Sequence, residues 1–153
     1  MILLIVTNGA PVIAAGLFKS HWKCPIDGGY LFLDSRPWFG YSKTWRGIFA
    51  AMLATSLVAI LLGFDWQLGM LFAGLAMLGD LLASFAKRRL GIAVSGRVVL
   101  LDQLPESILP VLFLSGTMGL SLLEVFIAVG IFTMLDLALS PLLYRLHIRK
   151  RPY

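Results

Sequence analysis

The segment from Trp66 to Gly91, WQLGMLFAGLAMLGDLLASFAKRRLG, joins a long apolar run to a block of charged residues. Within it, Trp66–Ala86 carries a single acid, Asp80, and about 20 mostly apolar residues are enough to cross a bilayer. A Lys-Arg-Arg block follows at once, as is typical where a helix leaves the membrane. The stretch therefore predicts a transmembrane helix that ends among basic residues.

The composition of the whole chain indicates a membrane protein. Of its 153 residues, 59% are hydrophobic and 14% are charged, and the mean hydropathy is +0.88. Soluble domains are roughly 45–50% apolar and about 25% charged, and small domains bury the least of their surface. These figures exclude soluble, disordered and collagen-like proteins, and they predict one all-α integral membrane domain over residues 1–153. The single cysteine, Cys24, excludes an intrachain disulfide and a cysteine metal cluster.

Four further apolar segments bring the predicted number of transmembrane helices to about five. They are Met1–Phe18, Gly47–Phe64, Pro105–Gly119 and Leu122–Tyr144. The first segment has no basic residues before it and no convincing cleavage site, so we expect a retained helix rather than a signal peptide.

The basic residues predict the orientation of these helices. All 13 lie between the first and second helices, after the third helix, or in the C-terminal tail. The positive-inside rule places that side in the cytoplasm, so we expect the N-terminus outside and the C-terminus inside. The two longer cytoplasmic loops are then Lys19–Arg46 and Lys87–Gln103, where chemistry can take place.

The net charge of +5 indicates acidic partners. Because the cations sit between hydrophobic runs, we expect anionic lipid headgroups and phosphorylated substrates as partners, and not nucleic acid. The sequence leaves the oligomeric state open between a monomer and a homodimer.

Four polar residues share one face of the third helix, because Asp80, Ser84, Lys87 and Arg88 are spaced i, i+4, i+7 and i+8. An acid inside the membrane costs about 2.5–3.5 kcal/mol, so Asp80 is expected to face a cavity or a partner. Asp102 begins the fourth helix on the same side, where the two carboxylates can meet. Two carboxylates beside several cations are a usual arrangement for Mg²⁺ and polyphosphate.

Each polar residue also has a structural interpretation when it is taken alone. A Lys-Arg-Arg block often sets the orientation of a helix, Ser84 is a common packing residue, and Asp102 can cap the fourth helix. Asp27 fits a turn, Glu106 fits the first turn of a helix, and Asp136 fits a contact between helices. The combination on one side of the membrane favours a functional site.

Two more motifs lie in the first loop, Pro25-Ile26-Asp27-Gly28-Gly29 and Lys43-Thr44-Trp45-Arg46-Gly47. Together with residues 79–91 and Leu100-Leu101-Asp102-Gln103-Leu104, they resemble the CDP-archaeol synthase family, which is related to phosphatidate cytidylyltransferases. Asn8 and Pro11 in the first helix fit the same pattern. The chain departs from the family at Ser42, which replaces a glycine, and at Pro105, which stands where the relatives place an acid.

The resemblance implies a CTP-dependent lipid-phosphate cytidylyltransferase of phospholipid biosynthesis. CMP would pass from CTP to an archaeol-type ether-lipid phosphate, or to a related phosphatidate, with release of pyrophosphate. Asp80 and Asp102 would bind Mg²⁺, and Lys87 and Arg88 would complete the catalytic set. The substrate-binding residues would be Asn8, Asp27, Lys43, Thr44, Arg46 and Ser84. The enzyme would lie in the cell (inner) membrane with its active site facing the cytoplasm.

Two other functions stay open on the sequence alone. Another small enzyme of lipid synthesis, such as a glycerol-phosphate acyltransferase, would need no metal, so its activity would persist in EDTA. A small transporter or assembly subunit with basic loops would have no CTP turnover to lose.

Overall fold

The computed structural model describes residues 1–19, 21–94, 96, 98 and 100–145, with the backbone alone over 139–145. Regular secondary structure in these ranges is entirely helical. The helices are α1 (Ile2–Phe18), α2 (Trp45–Leu61), α3 (Trp66–Arg89), α4 (Gln103–Phe113) and α5 (Leu122–Arg145). The all-α prediction is confirmed, and α1, α2, α3 and α5 begin and end within three residues of the predicted segments.

The prediction of the fourth segment, Pro105–Gly119, was wrong in its extent. The regular helix α4 ends at Phe113, and the chain continues in turns, in which the N–H of Gly119 donates to the carbonyl of Gly116 and Gly119 adopts a left-handed φ of 66°. At 1.5 Å per residue, α4 is roughly 16 Å long, about half of the hydrocarbon thickness of a bilayer. The apolar pattern continues beyond the helix because turn residues can be apolar too.

The outer surface of the bundle is apolar. The side chains of Leu17, Leu61 and Phe126 are 74%, 82% and 72% exposed. Soluble monomers rarely expose such surfaces over a large area, whereas lipid covers them in a membrane. By length and composition, α3 is able to span a membrane, while α1 and α2 are shorter apolar helices of 17 residues each.

Helix α3 is the centre of the bundle, since it packs against α2 and α4 and also touches α1. The main core lies around Phe72 and Leu68 of α3, with side chains from the other four helices. It comprises Leu3, Leu4, Ala59, Leu68, Phe72, Val111, Val125 and Phe132. Helices α1 and α2 are also joined by a fully buried hydrogen bond of 2.8 Å between the hydroxyls of Thr7 and Thr55.

Two glycines allow the neighbours of α3 to approach its backbone. A Cβ atom at Gly69 would lie 2.6 Å from the Cα of Ser56 in α2. A Cβ atom at Gly79 would lie 2.2 Å from the carbonyl oxygen of Pro105 in α4. Small residues are the usual means of close helix packing in membranes, and here the second contact lies next to Asp80.

Candidate active site

The loop between α1 and α2 is organised by one carboxylate. The Oδ2 atom of Asp27 accepts hydrogen bonds from the backbone N–H groups of Phe39 (3.1 Å) and Gly40 (2.7 Å), and its Oδ1 accepts from Gly29 (3.1 Å). Burial alone would raise the pKa of Asp27, but these backbone donors outweigh it and hold the pKa below its ordinary value. Both oxygens are thus engaged within the loop, and the substrate contact of Asp27 stays a prediction.

The end of this loop brings Lys43 to the middle of α3. An isolated antiparallel β-bridge joins Pro25 to Thr44, the residue that follows Lys43 and caps the start of α2. The Nζ atom of Lys43 lies 2.6 and 2.5 Å from the two carboxylate oxygens of Asp80. Both side chains are 22% exposed, so the pair is largely but not fully shielded from solvent.

A second lysine pairs with the second predicted metal ligand. The Nζ atom of Lys87 lies 2.5 Å from Oδ1 of Asp102 and donates to the carbonyl of Gly96 (3.1 Å). The other oxygen of Asp102 accepts from the backbone N–H of Val98 (3.1 Å). The contact at Oδ1 is ionic, because this buried oxygen accepts no hydrogen bond of good geometry.

The close contact of Gly79 with α4 places Asp80 near further acids. The carboxyl group of Glu106, in the first turn of α4, lies within electrostatic range of Asp80, Asp102, Lys43 and Asp136. The approach of Gly79 to Pro105 and the ion pair of Lys87 with Asp102 place both predicted metal ligands at the same end of the α3–α4 interface. Sequence reasoning assigned Glu106 a structural role, although its spacing of four residues from Asp102 placed both on one face of α4.

The remaining polar residues on this face of α3 are buried. Ser84, Lys87 and Arg88 are only 2%, 7% and 4% exposed, as their shared helical face predicts. Arg88 lines a cavity of about 220 Å³, and its Nε and Nη1 atoms are buried without a hydrogen-bond partner. A desolvated guanidinium with free donors is well suited to bind a phosphate group.

The first loop is fastened to the end of α3 by two arginines, which we call the arginine clasp (Arg36 and Arg89). Arg36 donates to the carbonyls of Arg88 (3.1 Å) and Arg89 (2.8 Å). Arg89 in turn donates to the carboxylate of Asp34 (2.6 Å) and to the carbonyl of Pro37 (2.8 Å). Its guanidinium also lies over the ring of Phe32, 4.5 Å from the centroid.

Three predicted substrate-binding residues make structural hydrogen bonds instead of contacts with the acids. Thr44 caps α2 by accepting from the N–H of Gly47 (3.3 Å), and Asn8 donates to the carbonyl of Leu4 within α1 (3.1 Å). Arg46 donates to the carbonyls of Lys19 (3.1 Å) and His21 (2.7 Å), just past the end of α1. These bonds do not reach Asp80 or Asp102, and the substrate roles stay predictions.

The carboxylates of Asp80 and Asp102 suit a metal ion that is also coordinated by substrate phosphates. In the part of the chain that the structure describes, no three His, Cys, Asp or Glu side chains are arranged to hold a metal. Mg²⁺ is commonly bound by one or two carboxylates together with substrate phosphates. Asp102 fits this pattern, because its buried Oδ1 has an ionic contact with Lys87 but no hydrogen bond of good geometry. Asp80 fits as a second carboxylate whose present partner is Lys43.

Comparison with known proteins agrees with the resemblance seen in the motifs. The family described as CarS-like CDP-archaeol synthase matches residues 2–153. A CDP-archaeol synthase of Hyperthermus butylicus is 42% identical over 65% of this chain and 60% of its own length. One of Thermofilum pendens is 37% identical over 84% of this chain and 65% of its own length. This chain thus spans less than two thirds of both relatives.

Two further comparisons extend over more of the molecule. A CDP-archaeol synthase of Methanococcus aeolicus is 32% identical over 94% of this chain and 88% of its own length. A solved structure, described as an intramembrane enzyme for archaeal membrane lipids biosynthesis, shares 28% identity over 90% of each chain with a TM-score of 0.69. On this evidence the chain belongs to the CDP-archaeol synthase family.

Proposed function

We propose that this protein transfers CMP from CTP to a membrane lipid phosphate, giving a CDP-lipid and pyrophosphate, with Mg²⁺ as its cofactor. The proposal rests on the placement of Asp80 and Asp102 at one end of the α3–α4 interface, each beside a lysine, with Arg88 next to one of these lysines on α3. Two acids and three cations suit a metal-bound triphosphate.

The reaction needs no nucleophile from the protein. An oxygen of the lipid phosphate attacks the α-phosphorus of CTP, the bond from that phosphorus to the bridging oxygen breaks, and pyrophosphate leaves with the electron pair. Mg²⁺ bound at Asp80 and Asp102 would supply charge neutralisation for the phosphates. Lys43, Lys87 and Arg88 hold phosphate oxygens and orient the two substrates for in-line attack, so positioning and electrostatics supply the catalysis.

The lipid substrate follows from the family. The relatives are named CDP-archaeol synthases, so we propose an archaeol-type ether-lipid phosphate as the acceptor, with a phosphatidate as the other acceptor to be tested. Asn8, Asp27, Thr44, Arg46 and Ser84 stay in the proposed substrate-binding set, with the contacts described above.

We further propose that the site faces the cytoplasm of a cell-membrane enzyme, with the N-terminus outside and anionic lipids around the basic loops. The arginine clasp, Lys43 and Lys87 all lie on the side of the bundle where α1 ends and α2 begins. The positive-inside rule assigns the side that carries the basic residues to the cytoplasm, and it is this side of the bundle. Arg97 and the basic residues 149–151, which enter the same argument, lie outside the described residues.

The test is transfer of label from [α-³²P]CTP to lipid, using purified protein, Mg²⁺ and a panel of ether- and ester-linked lipid phosphates. We expect labelled lipid with the wild type and a loss of at least about 100-fold for Asp80→Asn and Asp102→Asn, because a preorganised charge is lost. Asp65→Asn, an exposed acid at the opposite end of α3, is the matched control and should keep full activity.

Three outcomes would contradict the proposal. A folded protein that labels no lipid phosphate would exclude cytidylyl transfer and favour a transporter or assembly subunit. Labelling that persists in EDTA would exclude the metal. Full activity in both asparagine variants would exclude the proposed metal ligands.

A further inference from the structure

Each acid proposed to bind metal is held by a lysine proposed to bind phosphate. We infer that Lys43 and Lys87 are exchangeable counter-ions, which occupy the carboxylates of Asp80 and Asp102 until a triphosphate takes the lysines, so that metal and nucleotide bind as a coupled pair. The identity of the nucleotide rests on the proposed function, whereas the exchange itself concerns binding and requires no turnover.

An ammonium group already lies against each of the two carboxylates. Both oxygens of Asp80 lie within 2.6 Å of one ammonium group, and Oδ1 of Asp102 lies 2.5 Å from the other. The second oxygen of Asp102 accepts a backbone hydrogen bond from Val98. A divalent cation bound at either acid would therefore lie within a few ångströms of an ammonium group, and the repulsion between the two favours displacement of Lys43 or Lys87.

Separating either ion pair is costly because the charges are shielded from solvent. The four side chains are between 8% and 22% exposed, so each charge is largely shielded from water. Removing one partner of such a pair leaves a charge that solvent compensates poorly. A metal ion alone would displace two ammonium groups into this surrounding, and a triphosphate alone would strip two carboxylates of their partners. When both ligands arrive together, every charge exchanges one partner for another.

Arg88 differs from the two lysines because it forms no ion pair with either acid. Arg88 lies within electrostatic range of Asp102, but it makes none of the ion pairs found among the described residues, and its buried Nε and Nη1 atoms donate to no partner. It therefore offers an anion a contact that breaks no ion pair. Lys43 and Lys87 differ from it because a single ammonium on a flexible stem can turn from a carboxylate to a phosphate. Arg88 thus serves for docking, and the two lysines serve for the exchange.

The inference is tested by measuring each ligand without the other. Binding of Mn²⁺ alone is followed by the electron paramagnetic resonance signal of the free ion, and binding of CTP in EDTA is followed by equilibrium dialysis. We expect Lys43→Met and Lys87→Met each to bind Mn²⁺ about tenfold more tightly than the wild type. Asp80→Asn should bind metal-free CTP about tenfold more tightly, because it releases Lys43; tenfold in either equilibrium is about 1.4 kcal/mol.

Matched controls isolate the ion pairs from general charge effects. Lys23→Met removes a lysine of the same loop whose Nζ lies 5.8 Å over the ring of Tyr41, and it should leave Mn²⁺ affinity unchanged. Asp65→Asn should leave the affinity for metal-free CTP unchanged. In the wild type, saturating Mg²⁺ should raise CTP affinity, and by linkage CTP should raise metal affinity by the same factor.

The inference would be overturned if both lysine variants bound Mn²⁺ no better than Lys23→Met, or if Asp80→Asn gained no affinity for metal-free CTP. Should a lysine variant fail to fold, the Asp80→Asn measurement decides, since it breaks the same pair from the other side. The proposed function can fail separately. If the binding changes were observed but no lipid were labelled, the exchange would stand and the proposed function would not. If lipid were labelled but the binding changes were missing, only the exchange would be refuted.

Discussion

A methyl group added at Gly79 tests whether the close approach of α3 and α4 creates the site. In Gly79→Ala, the new Cβ would meet the carbonyl oxygen of Pro105 at 2.2 Å and the backbone nitrogen of Glu106 at 2.7 Å. Real Cβ contacts essentially never fall under 3.0 Å, and both neighbours are backbone atoms. Helix α4 must therefore move away by roughly 1 Å, and Asp102, directly before it, must move too.

The expected loss of stability follows from two opposing effects. Alanine in place of glycine inside a helix gains about 1 kcal/mol, whereas overpacking a tight contact costs about 1–3 kcal/mol. Gly74→Ala is the matched control, since nothing lies within 4 Å of its added Cβ and only the gain applies. The two variants should therefore differ by about 1–3 kcal/mol, or by about 2–12 °C in Tm for a chain of this size.

A third variant separates stability from catalysis. In Gly69→Ala the new Cβ would lie 2.6 Å from the Cα of Ser56, so this variant is also overpacked, but against α2 and away from the acids. Thermal unfolding in detergent and kcat for CMP transfer are measured on all three variants. Both overpacked variants should be less stable than Gly74→Ala, and only Gly79→Ala should lose about 100-fold in kcat, as expected for a 1 Å misplacement of catalytic groups. If Gly79→Ala matched Gly74→Ala in Tm, or Gly69→Ala in kcat, the reasoning would be refuted.

Two other predictions concern the first loop. Arg89→Lys should raise the KM for CTP severalfold with a smaller change in kcat, because one ammonium cannot replace the planar contacts to Asp34, the Pro37 carbonyl and the Phe32 ring; steady-state kinetics with an unchanged KM would contradict this. Asp27→Asn should unfold at a lower temperature than the wild type at neutral pH. The folded-state pKa of Asp27 is depressed, so its contribution is complete above the ordinary value of 3.8 and is lost as pH falls through the folded pKa. Thermal unfolding across this range should show the two proteins converge in acid, and a difference independent of pH would argue against the carboxylate.

The parts of the fold that depend on local pattern could be predicted from the sequence. The shared face of Asp80, Ser84, Lys87 and Arg88 follows from helical geometry alone, and the structure buries Ser84, Lys87 and Arg88 together. The end of α4 could not be predicted, because the hydropathy of residues 114–119 does not reveal that the chain turns there, with Gly119 in a left-handed conformation.

The partners within the site depend on long-range closure and were harder to predict. Lys43 and Asp80 are 37 residues apart, and Asp34 and Arg89 are 55 apart, with no regular pattern between them. Sequence reasoning placed Lys43 and Asp80 in one site by resemblance but not in an ion pair. It counted Arg89 only as part of a basic block, because its partners are brought together by the folded loop.

Arginines distant in sequence bond to carbonyls at the end of one helix and just past the end of another. Arg46 does so just past α1, and Arg36 does so for the last turn of α3, which carries Lys87 and Arg88. That last turn therefore cannot fray on its own, because unwinding it breaks contacts with Arg36, which lies 52 and 53 residues earlier in the first loop. Amide hydrogen exchange in the final turn of α3 should then occur only when the first loop undocks. The positions of Lys87 and Arg88 therefore depend on both α3 and the first loop.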